Sequence, residues 1–64
     1  MNPELNPATI LIVDDKPNIL KVMKAILERE GYRILIEESG EEALKRASQE
    51  IPDLIISDII ISLN

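Results

Sequence analysis

The chain has 64 residues, enough for one domain at most, and a domain of this size buries only about 60% of the surface of its unfolded chain. It contains no Cys, His, Trp or Phe, which excludes disulfides, thiolate or imidazole metal sites and Ser–His or Cys–His catalysis. Twelve acidic residues against seven basic ones give a net charge of −5, which disfavours binding to nucleic acid and to anionic membranes.

The first eight residues predict a flexible leader before a domain at residues 9–64. Pro3 and Pro7 each follow an Asn, and each removes a backbone donor and disfavours helix at the residue before it. No apolar run approaches the roughly 20 residues of a membrane-spanning helix, and no basic-then-apolar signal pattern begins the chain. Together with the absence of Cys, these features favour a cytoplasmic location.

A strand and a helix come next. Residues 10–13 are all aliphatic, which is typical of a central strand covered on both faces of a parallel sheet. Pro17 suits the first turn of the following helix, and Gly31 suits its end. The inward face of this helix is expected to carry the aliphatic residues that recur at helical spacing, namely Ile19, Met23, Ile26 and Leu27.

The second strand, residues 33–38, has an aliphatic centre between charged residues, which favours an edge of the sheet. Ser39 with Glu42 three residues later matches a capping box and opens a second helix. Its inward residues are expected to be Ala43, Leu44 and Ala47, and its i,i+4 ion pairs Glu41–Lys45 and Glu42–Arg46. Pro52 ends this segment, and residues 54–58 predict a third strand, again aliphatic enough to be covered on both faces.

The alternation of strands and helices predicts an α/β fold on a parallel sheet. Right-handed crossovers allow the strand orders 1-2-3 and 2-1-3. Order 1-2-3 would put the polar second strand at the centre, so we expect a β-α-β-α-β sheet of order 2-1-3 with one helix on each face. Such a sheet has its switch point between strands one and three, where α/β proteins bind ligands.

Three acidic residues are expected at that switch point: Asp14 and Asp15 after the first strand, and Asp58 at the end of the third. Converging carboxylates repel one another, and no basic residue is assigned to neutralise them, so a cation is favoured. Oxygen ligands without His or Cys select Mg²⁺, Mn²⁺ or Ca²⁺. A carboxylate beside such an ion can attack phosphorus and form an aspartyl-phosphate. Each acid taken alone is also compatible with a solvated strand end or a helix cap.

Four blocks of the sequence, in this order and at this spacing, resemble a response-regulator receiver domain of two-component signalling. They are residues 10–15 (ILIVDD), 31–32 (GY), 38–44 (ESGEEAL) and 52–59 (PDLIISDI). The resemblance covers about residues 9–61 and implies the N-terminal half of a flavodoxin-like, doubly wound fold.

By this resemblance Asp58 is the phosphoacceptor, and the cofactor is Mg²⁺. Asp15 matches the direct metal ligand and Asp14 the acid that acts through metal-bound water. Asp58 and the backbone carbonyl of Ile60 complete that site. The implied role is to receive a phosphoryl group from a histidine kinase or a phosphotransfer protein and to relay a conformational change, which is signalling and not enzymatic turnover.

Two parts of the family pattern have no counterpart in these 64 residues: the hydroxyl residue that ends strand four and the lysine that ends strand five. Ser62 also stands where the family usually has a proline. The sequence therefore predicts a truncated receiver that is deficient in phosphotransfer. The alternative is a structural or assembly module that keeps the fold without the chemistry. A magnesium-dependent phosphatase fragment is less favoured, because Ile60 replaces the second acid of the D-x-D pattern.

The third strand leads to an expectation about assembly. Residues 54–61 would form an aliphatic sheet edge without Pro or Lys, which soluble proteins normally avoid. We expect a homodimer, formed either by pairing two third strands into one six-stranded sheet or by exchange of the terminal segment, residues 59–64.

Overall fold

The computed structural model of the protein describes residues 7–58. Five elements follow one another along the chain: β1 (Thr9–Val13), α1 (Pro17–Arg29), β2 (Arg33–Glu37), α2 (Gly40–Glu50) and β3 (Leu54–Ser57). The predicted alternation is confirmed, with β2 and β3 each ending one residue before the predicted end. Most of the predicted leader, residues 1–6, lies outside the described residues.

The three strands form one parallel sheet in the order β2-β1-β3, which confirms the predicted topology. At the start of the sheet Ile10 of β1 lies between Ile34 of β2 and Leu54 of β3. Asp53 fixes the start of β3 against β1, because its N–H donates to the Thr9 carbonyl at 2.8 Å and its carboxylate accepts from the Thr9 N–H at 2.7 Å.

The core lies on both faces of β1, since successive side chains of a strand point to opposite faces. On one face the buried residues of the sheet pack with α1 in a cluster of Ile10, Ile12, Leu20 and Ile34. On the other face they pack with α2 in a cluster of Leu11, Val13, Leu35 and Ala43. The arrangement of one helix on each face is therefore confirmed.

The predicted inward face of α1 is confirmed for Met23 and Leu27 and wrong for Ile19 and Ile26. Its only buried residue is Leu20, with Met23 and Leu27 packed beside it, whereas Ile19 and Ile26 are 37% and 54% exposed. Among the described strands α1 contacts β1 and β2 only, and Ile19 and Ile26 are not among the residues packed in that contact. No helix within the described residues is long and apolar enough to cross a membrane.

Helix α2 begins as predicted, because the Ser39 hydroxyl accepts a hydrogen bond from the Glu42 N–H at 3.2 Å. Its ion pairs differ from the predicted i,i+4 pairs. The Lys45 ammonium lies 3.8 Å from the Glu42 carboxylate, and the Arg46 guanidinium lies 2.9 Å from the carboxylate of Glu37 on β2. Tertiary proximity to the sheet thus decides the partner of Arg46.

Strand β3 is more exposed than its sequence predicts. Leu54 and Ile55 are 53% and 46% exposed, although both were expected to be covered. In the described part of the chain both helices pack over β1 and β2 and neither lies over β3. The prediction of cover on both faces was therefore wrong for β3 and right for β1.

Candidate functional site: the acidic edge of the sheet

The carboxyl ends of β1 and β3 bring acidic residues to one edge of the sheet. Val13 and Ser57 are paired in the parallel register, so the residues that follow them, Asp14 and Asp58, are neighbours. The Asp58 N–H donates to the Val13 carbonyl at 3.1 Å, which continues the ladder by one bond beyond β3. Asp15 follows on the same loop. We call Asp14, Asp15 and Asp58 the acidic edge.

Asp14 is held from two directions and is only 7% exposed. Its N–H donates to the Glu37 carbonyl at 3.2 Å, and its carboxylate accepts from the Lys16 N–H at 2.9 Å. The second bond closes a local turn between β1 and α1, a common use of Asp at a strand end. Asp14 therefore has a structural task whether or not it also binds a ligand.

Asp15 and Asp58 are exposed, so groups in solution can reach them. Asp15 is paired with the next residue: the Lys16 ammonium lies 3.3 Å from its carboxylate. This hydrogen bond, the charge of Asp15 and then the charge of Asp14 raise the pKa of Lys16, with a further contribution from Asp58. All three acids thus act on one ammonium group, which places them in a common electrostatic environment.

The acidic edge offers ligand atoms of the type that hard cations prefer. It offers carboxylate oxygens without His or Cys, and Mg²⁺ is usually held by only one or two carboxylates together with water. Within residues 7–58 no three acidic side chains converge closely enough to enclose an ion. The predicted fourth contributor, the carbonyl of Ile60, lies outside the described residues.

A shallow polar depression of about 200 Å³ lies apart from the acidic edge. Its lining residues are Glu37, Glu42, Lys45, Arg46 and Gln49, so none of the three acids borders it. Its charged groups of opposite sign already form ion pairs with one another. These residues therefore do not belong to the candidate site.

Lys16 is the residue of this site that the sequence argument missed. No basic residue was assigned to the acids, yet Lys16 contacts Asp14 through its N–H and Asp15 through its ammonium. The sequence could have indicated this contact, because Lys16 directly follows Asp14 and Asp15 and so must lie close to the same strand end.

Comparison with known proteins gives consistent matches over most of the chain. The family model of the response regulator receiver domain matches residues 10–63. The alkaline phosphatase synthesis transcriptional regulatory protein PhoP of Bacillus subtilis is 46% identical over 52 residues, which are 81% of this chain and 22% of that protein. Protein PilH of Pseudomonas aeruginosa is 41% identical over 54 residues, 84% of this chain and 45% of that protein.

A third similar protein, histidine kinase P4 of Formosa agariphila, is 45% identical over 58 residues, 91% of this chain and 4% of that protein. The chain thus spans less than half the length of each of these relatives. The match itself lies over both strands that carry the acidic edge and over both helices. The chain belongs to the response regulator receiver domain family.

Proposed function

We propose that this chain is a phosphoacceptor module of two-component signal transduction and that Asp58 is the residue phosphorylated. Receiver domains accept phosphate from histidine kinases. The observation that carries the assignment is the position of Asp58, which is exposed at the carboxyl end of β3 beside Asp14. The donor would be the phosphohistidine of a kinase or of a phosphotransfer protein, and the location would be the cytoplasm.

Asp14, Asp15, Asp58 and the carbonyl of Ile60 are the groups that would hold Mg²⁺, which receiver domains generally bind at the phosphorylation site. Carboxylates are suited to this ion, and its charge would offset the repulsion between an anionic nucleophile and an anionic phosphoryl group. The closed turn around Asp14 would orient that carboxylate in advance, because its bond to the Lys16 N–H fixes the side chain.

The chemistry required of Asp58 is a single displacement. One of its carboxylate oxygens attacks the phosphorus atom, a P–O bond forms, and the P–N bond to the donor histidine breaks with the electron pair leaving on nitrogen. The exposure of Asp58 gives a partner's histidine access to it. The backbone bond from Asp58 to Val13 keeps its main chain in register with β1 during this approach.

We further propose that these 64 residues by themselves hold a phosphoryl group poorly. Lys45, within α2, is the last lysine of the sequence, so no lysine follows β3 to contact the transferred oxygens. Preorganised donors of that kind contribute several kcal/mol to charge stabilisation in a transition state, roughly 3–4 kcal/mol for one donor in a well-studied protease. Phosphorylation is therefore expected to be slow and substoichiometric.

Incubation with acetyl phosphate and Mg²⁺, followed by borohydride trapping and intact-mass analysis, tests both statements. We expect a minor, transient population that carries one phosphoryl group. Asp58→Asn should abolish it. The matched control is Asp53→Asn, at the opposite end of the same strand, which should leave phosphorylation unchanged in the folded fraction.

Three results would contradict the proposal. A modification that survives Asp58→Asn would reject Asp58 as the acceptor. No trapped modification of the folded wild-type chain would reject the phosphoacceptor role for these residues. A lasting, stoichiometric modification would reject the proposed deficiency while supporting Asp58.

A second candidate function is assembly through β3, and the exposure of Leu54 and Ile55 favours it. Two copies paired antiparallel through β3 would form one six-stranded sheet around a two-fold axis and would cover these side chains. The other form of the same proposal is exchange of the terminal segment between protomers. That segment, residues 59–64, lies outside the described residues.

Sedimentation at micromolar concentration tests the assembly, with Ile55→Lys as the perturbing variant. We expect a dimer for the wild type and a monomer or unfolded chain for Ile55→Lys, because a lysine in the edge resists pairing. Val22→Lys, on an exposed position of α1 away from β3, is the control for the added charge. A compact wild-type monomer would refute the proposal.

A further inference from the structure

We propose that Lys16 is a built-in counter-ion of the acidic edge, which a divalent cation must displace, so that Lys16 sets the cation affinity of this receiver. The inference rests on the proposed metal site at Asp14, Asp15 and Asp58. It gives Lys16, which is not one of the proposed metal ligands, the role of controlling how tightly the site binds a cation.

The backbone ties Lys16 to the site. It stands at the N-cap position of α1, in extended conformation, directly after Asp15. Its N–H donates to the Asp14 carboxylate at 2.9 Å, and its carbonyl accepts from the N–H groups of Ile19 and Leu20 at the start of the helix. The side chain therefore has a fixed origin within reach of the acids.

The ammonium group is in direct contact with one of the three acids, Asp15. Its nitrogen is 3.3 Å from the Asp15 carboxylate, which is close enough for a hydrogen bond. The charges of Asp14 and Asp58 also act on it. A single positive charge is thus placed where a divalent cation would have to approach.

The other ion-paired basic groups of the described chain are directed to partners away from the acidic edge. These pairs are Lys24–Glu28, Arg33–Glu50, Lys45–Glu42 and Arg46–Glu37. Lys16 is the only basic residue among residues 7–58 whose ion pair is with an acid of the edge. The neutralising charge of this site therefore comes from one identifiable side chain.

Competition follows from charge and from exposure. A cation bound at Asp15 and the Lys16 ammonium would compete for the same carboxylate oxygens. Their positive charges would also repel each other. The Lys16 side chain is 60% exposed, so it can swing into water and let the cation in. A cation that displaces the ammonium breaks its contact with Asp15, which is about one unit-charge pair at 4 Å in water, so we expect a roughly five-fold weaker affinity.

The experiment is a Mg²⁺ titration of the 64-residue chain followed by amide NMR shifts of residues 13–16 and 56–58. Lys16→Gln removes the charge and keeps a long polar side chain. Lys16→Arg keeps the charge. The matched control is Lys24→Gln, which removes the same charge from another lysine–acid pair, about 12 Å further along the helix at 1.5 Å per residue.

We expect Lys16→Gln to bind Mg²⁺ roughly five-fold more tightly than the wild type, with Lys16→Arg and Lys24→Gln close to the wild type. Equal affinity of Lys16→Gln and Lys24→Gln would overturn the inference while leaving the metal site intact. Equally tight binding by Lys16→Arg and Lys16→Gln would also overturn it, because charge would not be the cause. If no variant shifts while the amide spectrum shows a folded chain, the proposed metal site fails and the inference fails with it.

Discussion

Replacing Leu20 by Ala should remove much of the stability of this domain. Leu20 is 1% exposed and is the only buried residue of α1. Its side chain packs against Ile10 and Ile12 of β1 and Ile34 of β2, so it joins the helix to both strands beneath it. The variant therefore tests whether α1 is held to the sheet mainly through one position.

The expected loss can be worked out from the carbon atoms removed. Leu→Ala removes three buried carbons, which at about 0.8 kcal/mol each is a transfer loss of about 2.4 kcal/mol. The cavity left behind raises this to roughly 3–4 kcal/mol, because the neighbours relax only in part. At roughly 0.05–0.15 kcal/mol per residue, the whole 64-residue domain has a stability of about 3–10 kcal/mol. The substitution therefore removes a third or more of the total.

Val22→Ala is the matched control, since Val22 lies on the same helix and is 56% exposed. The small transfer loss there is offset by the better helix propensity of Ala, so we expect a net change within about 0.5 kcal/mol. Thermal unfolding followed by far-UV circular dichroism measures both variants. The midpoint of Leu20→Ala should fall roughly 12–30 °C below that of Val22→Ala, at 4–8 °C per kcal/mol for a domain of this size. Midpoints within a few degrees of each other would refute the role given to Leu20.

Three further outcomes are expected. Ser39→Ala should cost about 1 kcal/mol of unfolding free energy through loss of the helix cap, whereas Ser48→Ala, which only loses a bond to a carbonyl within α2, should be neutral in the same melts. Ile51→Gly should stabilise the domain by about 1 kcal/mol, because Ile51 is a β-branched residue at φ 48° and is 79% exposed; a destabilised variant in denaturant titration would contradict this. In metal-free buffer Asp15→Asn should lower the NMR-detected pKa of the Lys16 ammonium, since Asp15 is the main group that raises it; an unchanged titration would show that the ion pair does not form in solution.

The topology was predictable because composition and position agreed at each step. The unbroken aliphatic run of β1 predicted a central strand, and the charged flanks of β2 predicted an edge, which together select the order β2-β1-β3. The same order places Asp14 beside Asp58, although 43 residues lie between positions 14 and 58. Parallel strands must align their carboxyl ends, so this part of the site follows from the fold.

The features that sequence could not predict depend on tertiary neighbours. The helical period of α1 is compatible with several inward directions, and the position of the sheet beneath it selects Leu20 over Ile19. Arg46 pairs with Glu37 on β2 because the strand brings that carboxylate closer than the helix brings Glu42. The contact of Lys16 with Asp15 depends on which way a long side chain turns at the start of a helix.

The central position of β1 also has a consequence for the order in which the chain folds. Ile10 pairs with Ile34, which is 24 residues later in the sequence, and with Leu54, which is 44 residues later. The β1–β2 pairing therefore closes the shorter loop and costs less loop-closure entropy. We expect α1 then to consolidate that pair through Leu20 and β3 to join last, because none of the β3 side chains is buried. Amide hydrogen exchange should therefore be fastest along β3 and slowest in β1. Because Asp58 follows β3 directly, we expect that opening of this last strand would carry the proposed phosphoacceptor away from Asp14 and Asp15, so the acidic edge would last only as long as the short β1–β3 pairing.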